Sequence, residues 1–192
     1  MEKNLGQTPS SCLKVVLFGP ESTGKTTLSK QLARHYDSVW VPEFARAFLQ
    51  EKWNNTKTTC APEDLMPIAE GQINSENHLA EKANKVLICD TDLLETKVYS
   101  EAYYVGSCDP ILEKFALKNT YDMYFLTYID VPWEADDLRD KPTERKEMFD
   151  FFKKTLIEHN RPFTILKGSS KERLKLATQI IDNLILKNAP IQ

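Results

Sequence analysis

The chain has 192 residues, 41% of them apolar and 28% charged, with a net charge of −3 and a pI near 5.7. That length allows one domain with a full core, and the scattered Lys and Arg exclude the clustered basic excess of a nucleic-acid-binding protein. No run approaches the ~18 apolar residues of a membrane span, and MEKNLGQTPSSC at the start lacks the apolar stretch of a signal peptide, so a single cytoplasmic domain over residues 1–192 with no membrane partner is expected.

In chain order, the first apolar run covers residues 13–18 and leads directly into GPESTGKTT at residues 19–27. That stretch fills every position of the Walker A pattern G-x-x-x-x-G-K-[ST]. Gly19 and Gly24 are its glycines, Pro20, Glu21, Ser22 and Thr23 lie between them, and Lys25, Thr26 and Thr27 follow. Set between a buried strand and a helix predicted over 26–35, such a loop turns successive N–H groups inward around phosphate oxygens, and the helix dipole adds positive potential. Residues 19–27 are therefore predicted to bind a nucleoside triphosphate, taken as ATP, Lys25 to reach its outer phosphates, and the Thr26 hydroxyl to ligate magnesium.

A second strand, 38–41, ends at Pro42-Glu43, and a helix over 43–53 follows. Phe44, Ala45, Phe48 and Leu49 make its apolar face, and Glu43, Arg46 and Gln50 share the other side. Ligands of open parallel sheets bind beyond the carboxyl ends of the strands, which makes Glu43 and Arg46 candidates for gripping a small hydroxylated acceptor. They also fit a plain i, i+3 ion pair on a solvated helix. The next helix, 64–83, carries Pro67, which either sits in its first turn or kinks it. A third strand, 85–89, ends in Asp90-Thr91-Asp92. Asp90 is placed to hold magnesium opposite Thr26. Asp92, two residues on, points the same way towards the acceptor if the chain stays extended, or else caps the helix over 93–104.

A fourth strand, 123–128, precedes a polar segment that is predicted as a mobile lid over about 132–146. Arg139 and Arg145 in it would bring positive charge to the equatorial oxygens of a phosphoryl group in transfer, and closure would exclude water; an exposed mixed-charge loop is the plainer reading. A helix over 146–158, a strand over 163–166 and a helix over 171–186 complete the chain. Alternating strands and helices imply an α/β fold, a five-stranded, mostly parallel sheet of the P-loop NTPase type with helices on both faces and a small lid. Cys12, Cys60, Cys89 and Cys108, like the three histidines, are too widely spaced for a transition-metal site and are expected as free thiols. Residues 1–10, 54–60 and the last few are expected as loops and ends.

Four stretches, "GPESTGKTTL", "PEFARAFL", "ANKVLICDTDLLET" and "VPWEADDLR" followed by "RKEMF", resemble in that order the ribosylnicotinamide kinase domain of the bacterial NadR family, over about residues 13–187. The resemblance implies transfer of the γ-phosphate of ATP to the 5′-hydroxyl of nicotinamide riboside, giving nicotinamide mononucleotide, a step of NAD biosynthesis. On the combined reading Lys25, Asp92, Arg139 and Arg145 are the catalytic candidates, Glu43, Arg46, Asp92 and Trp133 face the small-molecule acceptor, and Thr26 and Asp90 hold Mg2+. The chain departs from the family at two points. About a dozen residues precede the first strand and no H-x-G-H occurs, so adenylyl transfer is not expected. The two aromatic positions that sandwich the pyridine ring in the family fall on Pro42 and near Ser75, which leaves Trp133, Tyr103 or Tyr104 as substitutes or as ordinary packing residues. The alternatives are a kinase for another nucleoside or vitamin precursor, and a regulatory nucleotide-binding ATPase; no N-K-x-D guanine motif is present. The sequence assigns no oligomeric state.

Overall fold

The computed structural model describes residues 4–104, 108–139 and 143–188. Its strands are β1 (Leu13–Phe18), β2 (Trp40–Val41), β3 (Val86–Asp90), β4 (Met123–Thr127) and β5 (Phe163–Leu166). They form one sheet in the order β2-β3-β1-β4-β5, parallel at every neighbouring pair. The helices among the described residues are α1 (Lys25–His35), α2 (Phe44–Thr56), α3 (Leu65–Ala80), α4 (Leu93–Tyr103), α5 (Pro110–Lys118), α6 (Arg145–Glu158) and α7 (Ser170–Asn188), with a 3-10 turn at Pro62–Asp64. None is long and apolar enough to cross a membrane.

β1 lies in the middle and is buried along its whole length, which explains its unbroken apolar run. Alternation divides its side chains between two cores. Leu13, Val15 and Leu17, with Val86, Ile88 and Phe125, meet Leu28 and Leu32 of α1 and Ala177 and Ile181 of α7. Val16 and Phe18, with Leu87, Cys89, Tyr124 and Leu126, meet Ile73 of α3, Val98 of α4, Phe115 of α5 and Phe152 of α6. Lys14 is the polar exception, and Glu76 of α3 receives its Nζ at 3.0 Å in the interior. Because β3 and β4 flank β1 on opposite sides, the chain reverses direction across the sheet there, and a crevice opens beyond the carboxyl end of β1.

Several boundaries differ from expectation. β2 is cut to two residues, since only Trp40 and Val41 pair with Ile88 and Cys89. Asp90 belongs to β3, in register with Leu17. Pro67 takes the third helical position of α3, the first-turn alternative, without interrupting it. Asn54 to Thr56 extend α2. Residues 4–12 are pinned: Leu5 is buried and its carbonyl accepts from Asn119 Nδ2 at 3.0 Å, while Gln7 Nε2 donates to Glu76 at 2.8 Å. Part of the expected lid, 140–142, and the ends 1–3 and 189–192 lie outside the described residues. All four cysteines are free thiols.

α5 is the element that periodicity did not bring out. Its signal is local: Asp109 caps the helix, accepting from the amides of Ile111 and Leu112 at 2.8 and 3.3 Å, and Pro110 takes the first position, where no N–H is needed. Asp109→Ala is expected to lower stability by about 1 kcal/mol, read as an earlier urea midpoint with an unchanged slope.

Candidate functional site

The phosphate-loop geometry starts with two glycines in the positive-φ half of backbone space. Gly19 has φ 134° and Gly24 φ 85°, values that side chains other than glycine's rarely allow. A Cβ on Gly19 would also stand 2.9 Å from Thr127 Oγ1, which itself bonds Thr23 Oγ1 at 2.7 Å. Thr23 Oγ1 lies 2.7 Å from the Pro20 carbonyl as well, so the loop is braced from within. Arg173, buried at the start of α7, clamps it from outside. Its Nη1 donates to the Thr23 carbonyl at 2.6 Å, its Nη2 to the Tyr128 carbonyl and to Asp130, and its Nε to the Gly168 carbonyl.

Lys25 opens α1 and points back under the loop. Its Nζ donates to the carbonyls of Gly19 and Pro20 at 2.6 and 3.1 Å and pairs with Glu95 at 3.2 Å. Burial alone would lower the Lys25 ammonium, but the carboxylates of Glu95, Glu43 and Asp90 outweigh it and hold the pKa above the ordinary value, so the group stays charged. Glu95 also accepts from the Gly19 amide at 3.3 Å. It was not anticipated from sequence, where its only distinction is a place three residues after a potential N-cap.

Thr26 Oγ1 donates to Asp90 Oδ2 at 2.5 Å. Asp90 is fully buried, and its other oxygen, Oδ1, has no hydrogen-bond partner among the described residues. A hydroxyl beside a carboxylate with an unused oxygen is a hard donor set, and it fits a magnesium ion that keeps the rest of its octahedron for water and phosphate. No group of three or more His, Cys, Asp and Glu side chains among the described residues could hold a metal by itself.

Two cavities lie on the loop side of the sheet and share three lining residues. One, of about 380 Å³, is lined by the loop from Glu21 to Thr27 together with Glu43, Arg46, Tyr99, Val131, Pro132, Glu134 and Arg139. The other, about 200 Å³, lies between α2, the start of α3 and α4, with Leu138 over it. Glu21, Glu43 and Tyr99 line both. Glu43 ends the β2 segment as the residue before α2, and its side chain caps nothing. Thr91, at the mouth of the second cavity, has φ 77°, a conformation that a β-branched residue holds only under strain.

The arginines converge on the loop side of the cleft. Arg46 makes a two-pronged bond to Asp136 at 3.2 and 2.6 Å, so its hydrogen-bond partner is in the segment after β4 and not Glu43. Arg139 Nε sits 3.2 Å from the same carboxylate, and its Nη1 donates to the Glu134 carbonyl at 2.5 Å. Burial would raise the Asp136 carboxyl, yet the Arg46 hydrogen bond and the Leu138 amide hold it below the usual range. Arg145 Nη2 donates to the Ser22 carbonyl at 3.1 Å, and the guanidinium lies 5.6 Å from the Trp133 ring centre.

Two expected site residues are elsewhere. Asp92 is buried at the cap of α4: its Oδ1 accepts from the Glu95 amide at 3.0 Å and its Oδ2 from the Tyr124 hydroxyl at 2.7 Å. The turn at Thr91 ends the extended run, so the carboxylate faces the core and neither the catalytic nor the acceptor-binding role given to it is available. Trp133 lines a small recess with Pro20, Arg145 and Met148 that shares Glu21, Tyr99 and Tyr103 with the second cavity, without lining that cavity itself. Pro42 is exposed and, like Ser75, lies off that cavity, whereas Tyr103 and Tyr104 line it.

Comparison with known proteins agrees with this geometry. The model of the AAA domain family matches residues 14–173. The trifunctional NAD biosynthesis/regulator protein NadR of Escherichia coli (strain K12) is 28% identical over 151 residues, 78% of this chain and 37% of that protein. The chain therefore spans well under half the length of this curated relative. The solved structure of a NadR protein in complex with NR superposes with a TM-score of 0.76 at 21% identity, covering 95% of this chain and 53% of that one. A deoxyadenosine kinase from M. mycoides, solved with dcmp and a flexible dcdp bound, gives a TM-score of 0.63 at 12% identity, over 89% of this chain and 100% of the other. The P-loop NTPase fold and the NadR resemblance expected from the sequence are both borne out.

The buried carboxyls set a pH dependence. Burial, reinforced by Glu43, pushes Asp90 up to about 7, and burial lifts Asp92 to about 6 against the pull of Tyr124 and the Glu95 amide. Both pKa values stand above the 3.8 of an ordinary aspartate, so the stabilisation from proton uptake is complete below that value and is lost as pH rises through about 6 and 7. Without ligands, Asp90→Asn is expected to gain stability relative to the parent by up to roughly 4 kcal/mol at pH 8 and little at pH 4; denaturant unfolding at the two pH values checks it.

Proposed function

This chain belongs to the AAA domain family, and we propose that it is an ATP-dependent kinase that transfers the γ-phosphate to the 5′-hydroxyl of a ribosyl compound, nicotinamide riboside being the acceptor. The observation that carries this reading is the junction of the two cavities at Glu21, Glu43 and Tyr99, one built for phosphate and the other walled by tyrosines and aliphatic side chains. A nucleotide in the first and a riboside in the second would meet end to end. The NadR similarity supports the choice of acceptor.

In this reading the amides of residues 19–27 wrap the triphosphate, and Lys25 turns from the Gly19 and Pro20 carbonyls to the outer phosphates. Thr26 and Asp90 would hold Mg2+, which when bound supplies charge neutralisation at the β- and γ-oxygens. Glu43 accepts the hydrogen bond of the riboside hydroxyl and aims its oxygen at the γ-phosphorus. That oxygen forms the new O–P bond, the bond to the β–γ bridging oxygen breaks, ADP leaves with the electron pair, and the hydroxyl proton passes to Glu43 or to solvent. The transition state is loose and spreads charge over the equatorial oxygens, so positioned cations matter more than a strong base. Arg46, Arg139 and Arg145 are those cations, and Arg46 and Arg139 become available as Asp136 gives way to phosphate.

Incubation with ATP, magnesium and a panel of nucleosides and vitamin precursors is expected to phosphorylate nicotinamide riboside. If another panel member gains the phosphate and nicotinamide riboside does not, the acceptor is wrong, and transfer to none of them overturns the kinase reading. Lys25→Ala is expected to lose about 100-fold or more in kcat, the scale set by removing one preorganised donor. Arg139→Ala is expected to keep ATP affinity, measured by calorimetry, while transfer falls; a loss of affinity alone would place Arg139 on the nucleotide's ground state.

A further inference from the structure

One side chain ties the walls of both cavities together without lining either. Asp136 Oδ1 accepts from the backbone amides of Leu138 and Arg139 at 2.9 and 3.1 Å and from Arg46 Nη1 at 3.2 Å, while Oδ2 takes Arg46 Nη2 at 2.6 Å and lies 3.2 Å from Arg139 Nε. Two amides on one oxygen fold residues 136–139 into a closed turn, the local bond that an aspartate offers its own backbone. The turn sets consecutive residues over different cavities: Arg139 lines the phosphate cavity and Leu138 the second one. Their Cα atoms are about 3.8 Å apart, as across any trans peptide, so neither can be displaced far without the other. α2 is divided in the same way, with Arg46 on the phosphate cavity and Ala45 and Leu49 on the second, and its Gln50 Nε2 donates to Asp137 Oδ2 at 3.3 Å.

Resting on the kinase reading above, we propose that the Asp136 turn couples the two substrates: a triphosphate that draws Arg139 inward seats Leu138 on the occupant of the second cavity, and each ligand then strengthens the binding of the other. A carboxylate oxygen has about two lone-pair sites, and three donors crowd Asp136 Oδ1. Transfer of Arg46 to phosphate oxygen leaves the two amides their full share, so the turn tightens as the guanidiniums depart. Coupling of this kind is reciprocal, since the same free energy is gained whichever ligand arrives first. Asp136 acts through its neighbours, as a positioning residue.

Calorimetry on the full chain with magnesium tests this, titrating nicotinamide riboside with and without a non-hydrolysable ATP analogue, and the analogue with and without the riboside. Each is expected to bind about tenfold more tightly beside the other, by the same factor in both directions. Asp136→Asn keeps an oxygen for the two amides and removes the charge that holds the arginines, so the analogue is expected to bind more tightly than to the parent and the coupling to persist. Asp136→Ala loses the turn as well; the analogue again gains affinity, but the coupling factor falls to about one. Independent binding of the two ligands to the parent, no binding of the riboside beside the analogue, coupling that survives Asp136→Ala, or weaker binding of the analogue to both variants overturns the proposal. The kinase reading fails by a different sign: the coupling is seen, yet no riboside gains phosphate from ATP. Transfer of phosphate with independent binding leaves that reading standing and removes the coupling.

Discussion

One buried ammonium organises this cleft. Lys25 has carbonyl oxygens of the loop on one side and the Glu95 carboxylate on the other, so the segment joining β1 to α1 is tied to α4 before any nucleotide arrives. Breaking such a pair by removing one partner typically costs about 3–5 kcal/mol, because the other charge is left in the interior without a counter-ion. The pair's net worth against an apolar substitute is smaller, and its value here is positional. The ammonium holds the loop's carbonyls and Glu95 in one fixed arrangement.

The other cations follow the same rule. Each is held by an acceptor of the protein's own: Arg46 and Arg139 by the Asp136 carboxylate, Arg145 by a hydrogen bond to the Ser22 carbonyl. Four positive groups around one cavity repel one another, and the protein answers with its own carboxylates and carbonyls. The segment after β4 and the loop are thus in contact through described residues, and Glu21, Glu43 and Tyr99 line both cavities.

What could be read from the chain is what local spacing decides. The glycines at 19 and 24, the lysine and the threonine carry their geometry with them, and the strand-and-helix alternation around them produced the right architecture. Asp92 could not be placed, because an aspartate after a strand either continues outward or turns to cap the next helix, and the deciding groups are Thr91, bent at positive φ, and the Tyr124 hydroxyl 32 residues away. Glu95 was hidden for a related reason: a glutamate in the first turn of a helix ordinarily complements the dipole, and only the fold brings it under the loop. β2 shrank since a pairing partner limits a strand more than its own apolar run does, and α5 was lost although its Asp-Pro start was in plain view.

Arg173 carries a temporal consequence. Its guanidinium joins the loop after β1 to the ends of β4 and β5, but it sits on α7, the final helix of the described chain. A polypeptide still attached to the ribosome therefore has its phosphate-gathering turn synthesised some 150 residues before the clamp that fixes it. The mooring of that turn to the sheet is therefore complete only once the last described helix has packed.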